Sequence, residues 1–457
     1  MTLSLLAAVF GFNNLHAQTV AYVVNGGNAS NSVSVIDTAT NTVTATIPVG
    51  HSPQGVAVAP DSAHAYVTNF SDGTVSVIDT ATNTVVATVP LAAPGNPSEP
   101  FLPAITPDGK SLYVPDASAN GVVVVNTATN TVNTTIPVGG SPYQVAIAPD
   151  GAHAYVARTG DGNVSVIDTA TNTVVGSPIH VSAGGGEVFT VAVAPDGAHI
   201  YAGGGGNATV TIIATSNNAT TTITGVPNAT GLAITPDGAS LYVTDGIQTV
   251  SVIDTATNAV QPSLVTVGNG PLLLAITPDG ASVYVTNLGD GTVSVIATAT
   301  NTVPATITVG SQPQGIAIAN LSTPLAAFTV EDLDIGEHKV SLDGDLTLGA
   351  NSGGLDLAHQ PVTLTVGTLS FTIPAGSFKQ VGGQHHFVCH TSNVFRGTIS
   401  GLKVDFDLKA ERGSSTAFDY SVTISHVDLD VPDPVTVTMK IGENAGTATA
   451  CQDRDCD

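Results

Sequence analysis

Between residues 18 and 322 the chain carries only two glutamates, Glu99 and Glu187, and one arginine, Arg158. The same stretch holds three phenylalanines, Phe70, Phe101 and Phe189, and one tyrosine, Tyr143, that stands outside the regular spacing of the others. Aromatic side chains offer large, rigid contact area, and a desolvated arginine or carboxylate orients a ligand. Reactive constellations are otherwise thin. Two glutamates alone make a poor site for a hard cation, which takes six or more oxygens. The sequence has no glycine–serine nucleophile elbow, no zinc-binding helix and no phosphate loop, so no catalytic residue, metal or cofactor is expected. The glycine run 203–206 lies inside a repeat and reads as a loop.

Two further clusters lie near the C-terminus. The segment Gln384-His385-His386-Phe387-Val388-Cys389-His390 lacks the first cysteine of a haem-attachment motif. On a strand, His385 and Cys389 face one way while His386 and His390 face the other, so a metal needs a neighbouring strand. The pairs Asp343/Asp345 and Asp428/Asp430 lack a complete calcium loop.

What must position these residues is a repeat. The string VSVIDTATNTV begins at Val33 and recurs at Val75, Val164 and Val250, with looser copies at Val122, Val210 and Val293. Upstream of each copy sits a tyrosine: Tyr22, Tyr66, Tyr113, Tyr155, Tyr201, Tyr242 and Tyr284, spaced 41 to 47 residues apart. That is the length of a four-stranded propeller blade. Each repeat supplies a small apolar first strand closed by Pro-Asp, a tyrosine strand, the VSVID strand and a Thr/Val-rich fourth strand. Pro-Asp-Gly at Pro107, Pro149, Pro195, Pro236 and Pro278 supplies tight turns, and Asp72-Gly73, Asp161-Gly162 and Asp290-Gly291 supply hairpins. The chain enters on a tyrosine strand and leaves the array on a lone first strand, Gly315–Ala319. The ring therefore closes by lending that strand to the blade of Tyr22, which protects an edge.

Aligning the first strands backwards from Pro-Asp places equivalent positions around one channel mouth. One ring is Gln54, Phe101, Tyr143, Phe189, Thr230, Leu272 and Gln314. Two residues earlier come Ser52, Glu99, Ser141, Glu187, Asn228, Gly270 and Gln312. The face with the Pro-Asp and Thr-Ala-Thr-Asn turns is nearly uniform, and the face with this mouth is irregular, which suits a specific site. Gln54, Glu99, Phe101, Tyr143, Arg158, Glu187, Phe189 and Gln314 are the candidate binding residues, forming a concave aromatic pocket with a few polar groups. The competing account is structural: the aromatics plug the channel and Arg158 pairs with a glutamate.

The strings Tyr66-Val67-Thr68-Asn69 and Tyr284-Val285-Thr286-Asn287, with Val75-Ser76-Val77-Ile78-Asp79-Thr80-Ala81-Thr82-Asn83, resemble the YVTN-repeat family of β-propellers. That resemblance covers about residues 20 to 320. It implies a seven-bladed propeller of an exported or cell-surface protein, surface-layer proteins among them, and implies little about activity. Some propeller lactonases hold a metal with carboxylates at the channel mouth, a role that Glu99 and Glu187 would imitate.

Composition agrees with an all-β chain: of 457 residues, 10% are charged, 35 acidic against 10 basic, net −25. Such acidity repels phosphate backbones and argues against nucleic acid as a partner. Residues 1–17 read as a signal peptide with no basic start, cleaved before Gln18, and no stretch is long and apolar enough to span a membrane. Residues 18–322 form the propeller, and 323–457 an all-β domain with alternating strands at Val362–Val366 and Val435–Met439, for which a β-sandwich is the natural guess. Cys389, Cys451 and Cys456 leave one thiol over whichever pair bonds. The expected function is an exported, non-catalytic binding or surface-scaffold protein that recognises a protein, glycan or small molecule. The alternative is a channel-mouth hydrolase or lyase of the lactonase kind.

Overall fold

The computed structural model describes residues 18–27, 30–181, 186–205 and 208–321, and the C-terminal strands named below. Residues 1–17, Cys451 and Cys456, with the expectations attached to them, lie outside the described residues. Within 19–321 the middle strands of each repeat are apolar on both sides. The reason is that a propeller blade is sandwiched between two neighbours, so both faces of its sheet are buried. In the tyrosine strand Gln18–Asn25, for example, Val20, Tyr22 and Val24 pack toward the following blade, while Ala21 and Val23 pack toward the last one. Among the described residues the apolar side chains form one buried cluster at each of the seven blade-to-blade interfaces.

The seven sheets are antiparallel, and blade 1 is assembled from both ends of the array. Its order is Thr42–Pro48, Ser32–Asp37, Gln18–Asn25 and, innermost, Pro313–Leu321. The expected closure by an N- and a C-terminal strand is therefore the observed one, and Thr19 Oγ1 donates to Asn320 Oδ1 at 2.8 Å across the join. Blade 2 runs Pro53–Val58, His64–Asn69, Thr74–Asp79, Thr84–Pro90, and the other blades repeat it. In blades 4 and 6 the outermost strand breaks in two, Thr173–Val174 with Ile179–His180 and Ala259–Val260 with Val265–Thr266. Pro178 and Pro262 sit in the breaks, where a missing N–H cannot continue the ladder.

The repeat motif holds neighbouring blades together. The tyrosine hydroxyls of blades 1, 3, 6 and 7 donate to Oδ1 of Asn83, Asn172, Asn301 and Asn41, the last residue of the Thr-Ala-Thr-Asn turn in the next blade. The asparagines of the six Thr-Ala-Thr-Asn turns, and Asn218 at the equivalent turn of blade 5, have positive φ, between 52° and 59°. Asparagine tolerates that backbone and offers an amide oxygen as well. At the Pro-Asp-Gly turns the glycines take φ between 69° and 73°, and in blade 2 Ser62 takes the same turn at 55°.

The C-terminal strands form two sheets. One runs Leu325–Phe328, Lys339–Leu348, Ala417–Ser425, Lys403–Ala410, His386–Thr391, Lys379–Gln380, with Asp332–Gly336 also pairing Lys339–Leu348. The other runs Leu369–Ile373, Val362–Val366, Val435–Ile441, Asn444–Ala450. Val362–Val366 and Val435–Ile441, the second of which contains the expected Val435–Met439, are neighbours in it.

Candidate functional site: the channel mouth

Several segments at the mouth are held by hydrogen bonds that pass from blade to blade. Thr68 Oγ1 of blade 2 donates to the Phe101 carbonyl of blade 3 at 2.7 Å. Thr244 makes the same bond to Leu272 at 2.7 Å, and Thr286 to Gln314 at 2.9 Å. Between blades 3 and 4 the innermost segments pair directly: Leu102 N–H donates to the Tyr143 carbonyl at 3.0 Å and Val145 N–H to the Leu102 carbonyl at 3.2 Å. Val191 N–H then donates to Gln144 Oε1 at 3.0 Å, tying blade 4 to blade 5. Pro100 and Pro103 flank Phe101, so the regular innermost strand of blade 3 shrinks to Ala104–Ile105. The freed segment is what bonds across to blade 4.

This stitching brings the expected aromatic residues together and adds one. Ring centroids lie 4.6 Å apart for Phe101 and Tyr143 and 5.7 Å for Tyr143 and Phe189. Phe70, which follows the Tyr66 strand, extends the row at 5.2 Å from Phe101. The result is an arc of four tilted rings across blades 2 to 5, each ring half-buried. Contacts of this kind are worth about 0.5–1.5 kcal/mol per pair beyond the buried area. Burial alone pushes the Tyr143 hydroxyl above the usual tyrosine range. Phe70 escaped the alignment of first strands because it reaches the mouth from the loop after the tyrosine strand. Its rarity in the repeats was the available signal.

The polar candidates divide. Gln54 and Gln314 are half-buried on the innermost strands of blades 2 and 1, next to the Phe70 end of the arc. Glu99 is half-buried, and Asp116, itself 1% exposed, fixes the backbone beneath it by accepting from Glu99 N–H at 3.0 Å and Ser98 Oγ at 2.7 Å. Glu187 is exposed, on a loop against which Gly204 and Gly205 pack. A Cβ on Gly204 would collide with the Glu187 carbonyl oxygen, and one on Gly205 would stand 3.2 Å from the Phe189 ring. Glycine is needed there for the loop to approach.

Arg158 makes its bonds within its own blade. It ends the tyrosine strand of blade 4, the position of Asn25, Asn69 and Asn287 in other blades. Those asparagines donate from Nδ2 to Ser34, Ser76 and Ser294. Arg158 donates to the equivalent Ser165 Oγ at 3.0 Å and forms an ion pair with Asp161, not with a glutamate, at 7% exposure. Among the described residues no three histidine, cysteine or acidic side chains gather as a metal site.

The Pro-Asp face carries bonds that repeat from blade to blade. Thr106, Thr235 and Thr277 donate to Asp108, Asp237 and Asp279 of their own turns. A hollow of about 240 Å³ between blades 6 and 7 is lined by Pro236, Asp237, Tyr242 and Asp279 among others. Both aspartates in it are engaged in this way.

Comparison with known proteins agrees with the architecture. Residues 14–221 match the family model described as lactonase, seven-bladed β-propeller. No curated protein matches the chain. Among solved structures it is similar to hydrazine synthase of Kuenenia stuttgartiensis, at 24% identity and TM-score 0.52, covering 65% of this chain and 99% of that one. A functionally unknown protein from Desulfotomaculum acetoxidans has 19% identity and TM-score 0.55, covering 66% of this chain and 99% of that one. A putative 6-phosphogluconolactonase from Bacteroides uniformis has 15% identity and TM-score 0.55, with 66% and 100% covered. At these identities the likeness concerns the fold.

Proposed function

We propose that the protein is an exported, YVTN-type propeller that binds a small ligand at the irregular channel mouth, with the opposite face as scaffold and a sandwich-like C-terminal domain. The observation that carries this reading is the aromatic arc of Phe70, Phe101, Tyr143 and Phe189, on a backbone tied from blade to blade. Half-buried rings on segments that also carry glutamates and glutamines have the composition of a ligand pocket. Export is supported by the apolar run near the N-terminus. Exported protein is expected to begin at Gln18 by mass spectrometry, and a uniformly intact Met1 contradicts export.

The lactonase reading is favoured by the family match over residues 14–221. In it, Glu187 and Glu99 would act on a lactone at the same mouth. One experiment separates the readings. The full chain is screened against neutral, cationic and anionic ring compounds by ligand-observed NMR and assayed for hydrolysis of gluconolactone, with Tyr143→Ala and Glu187→Gln in parallel. Binding without turnover, weakened by roughly 1–3 kcal/mol in Tyr143→Ala at unchanged melting temperature, supports recognition. Hydrolysis abolished by Glu187→Gln and by chelator supports the enzyme.

A further inference from the structure

Two features of the mouth restrict the charge of what it holds. The arc's rings are half-buried, and an aromatic face carries negative electrostatic potential that attracts a cation within about 6 Å of the centroid. Glu99 and Glu187 precede Phe101 and Phe189 by two residues, and neither has an ion-pair partner among the described residues. The propeller's two cations are both engaged elsewhere. Arg158 is buried against Asp161 and Ser165. Lys110 lies on the opposite face, beside Asp108 at 3.2 Å. The chain as a whole carries a net charge of −25.

Resting on the reading of this mouth as a binding site, we infer that its ligand is an organic cation, a quaternary or alkylated ammonium group seated on the arc of Phe70, Phe101, Tyr143 and Phe189 with Glu99 and Glu187 at the rim. An alkylated ammonium suits such a seat because it sheds water easily and spreads its charge over methyl groups that pack on ring faces. A bare metal ion has no such match here, since hard cations take six or more oxygens. A phosphorylated sugar meets repulsion from the carboxylates and no free cation to receive its phosphate.

The test uses the full chain and three probes: choline, its uncharged isostere 3,3-dimethylbutan-1-ol, and glucose 6-phosphate. Calorimetry is expected to give choline at least about tenfold tighter binding than the alcohol, as about 1.4 kcal/mol of cation–π and carboxylate attraction provides, and no binding of glucose 6-phosphate. The paired change Glu99→Gln with Glu187→Gln, made at rim positions that leave the core intact, should weaken choline several-fold and leave the alcohol unchanged. Tyr143→Ala should weaken both. Equal affinity for choline and the alcohol, both lost in Tyr143→Ala, overturns the cation inference and leaves the mouth as the site. Choline that does not bind at millimolar concentration also overturns the inference. Binding that is indifferent to Tyr143→Ala at unchanged melting temperature overturns the mouth reading as well.

Discussion

Tyr284 and Asn41 are 243 positions apart in sequence, yet the tyrosine hydroxyl donates to the asparagine side chain at 2.6 Å and joins the last blade to the first. A part-buried hydrogen bond of this type contributes about 1 kcal/mol. Tyr284→Phe is therefore expected to lower stability by roughly that amount in urea denaturation, with the ring otherwise intact. Burial, and after it the carboxylates of Asp37 and Asp279, pushes the Tyr284 hydroxyl up to about 12, and burial beside Asp168 and Asp108 does the same for Tyr113. In the unfolded chain both ionise near 10, so their contribution is complete below about pH 10 and disappears as pH rises toward 12. The melting temperature should fall across that window, and less steeply in Tyr284→Phe. The tyrosine period was legible because it marks the blade. The role of the turn asparagine was not, because its partner lies in the next repeat, and neither was the bond that makes Arg158 the counterpart of an asparagine.

At the scale of elements, the strand Pro313–Leu321 is the innermost member of a blade whose other three strands begin the array. A chain ending at Gln312 exposes the edge of Gln18–Asn25 and loses the Thr286–Gln314 bond. It should aggregate or melt well below a chain ending after Leu325, and equal melting temperatures for the two would contradict the closure. The phase of the ends made this legible: a ring that starts on its second strand must borrow its first. The broken outer strands of blades 4 and 6 were less so, since a uniform repeat was imposed on segments that Pro178 and Pro262 interrupt. The same uniform frame missed Phe70. Loops are set by what they meet across the ring, and a single-repeat pattern carries no information on that.

For the propeller as a whole, the two faces differ in kind. One repeats its turn bonds from blade to blade, and the other gathers four aromatic rings on four consecutive blades. The account's central claim is that the second face is where the ligand sits. Hydrogen–deuterium exchange of the full chain, with and without saturating choline, measures this directly. The account predicts added protection in residues 99–103, 141–145 and 187–191, and none at the Pro-Asp-Gly turns 107–110, 149–152 and 236–239. Protection confined to those turns, with the mouth unchanged, would contradict it.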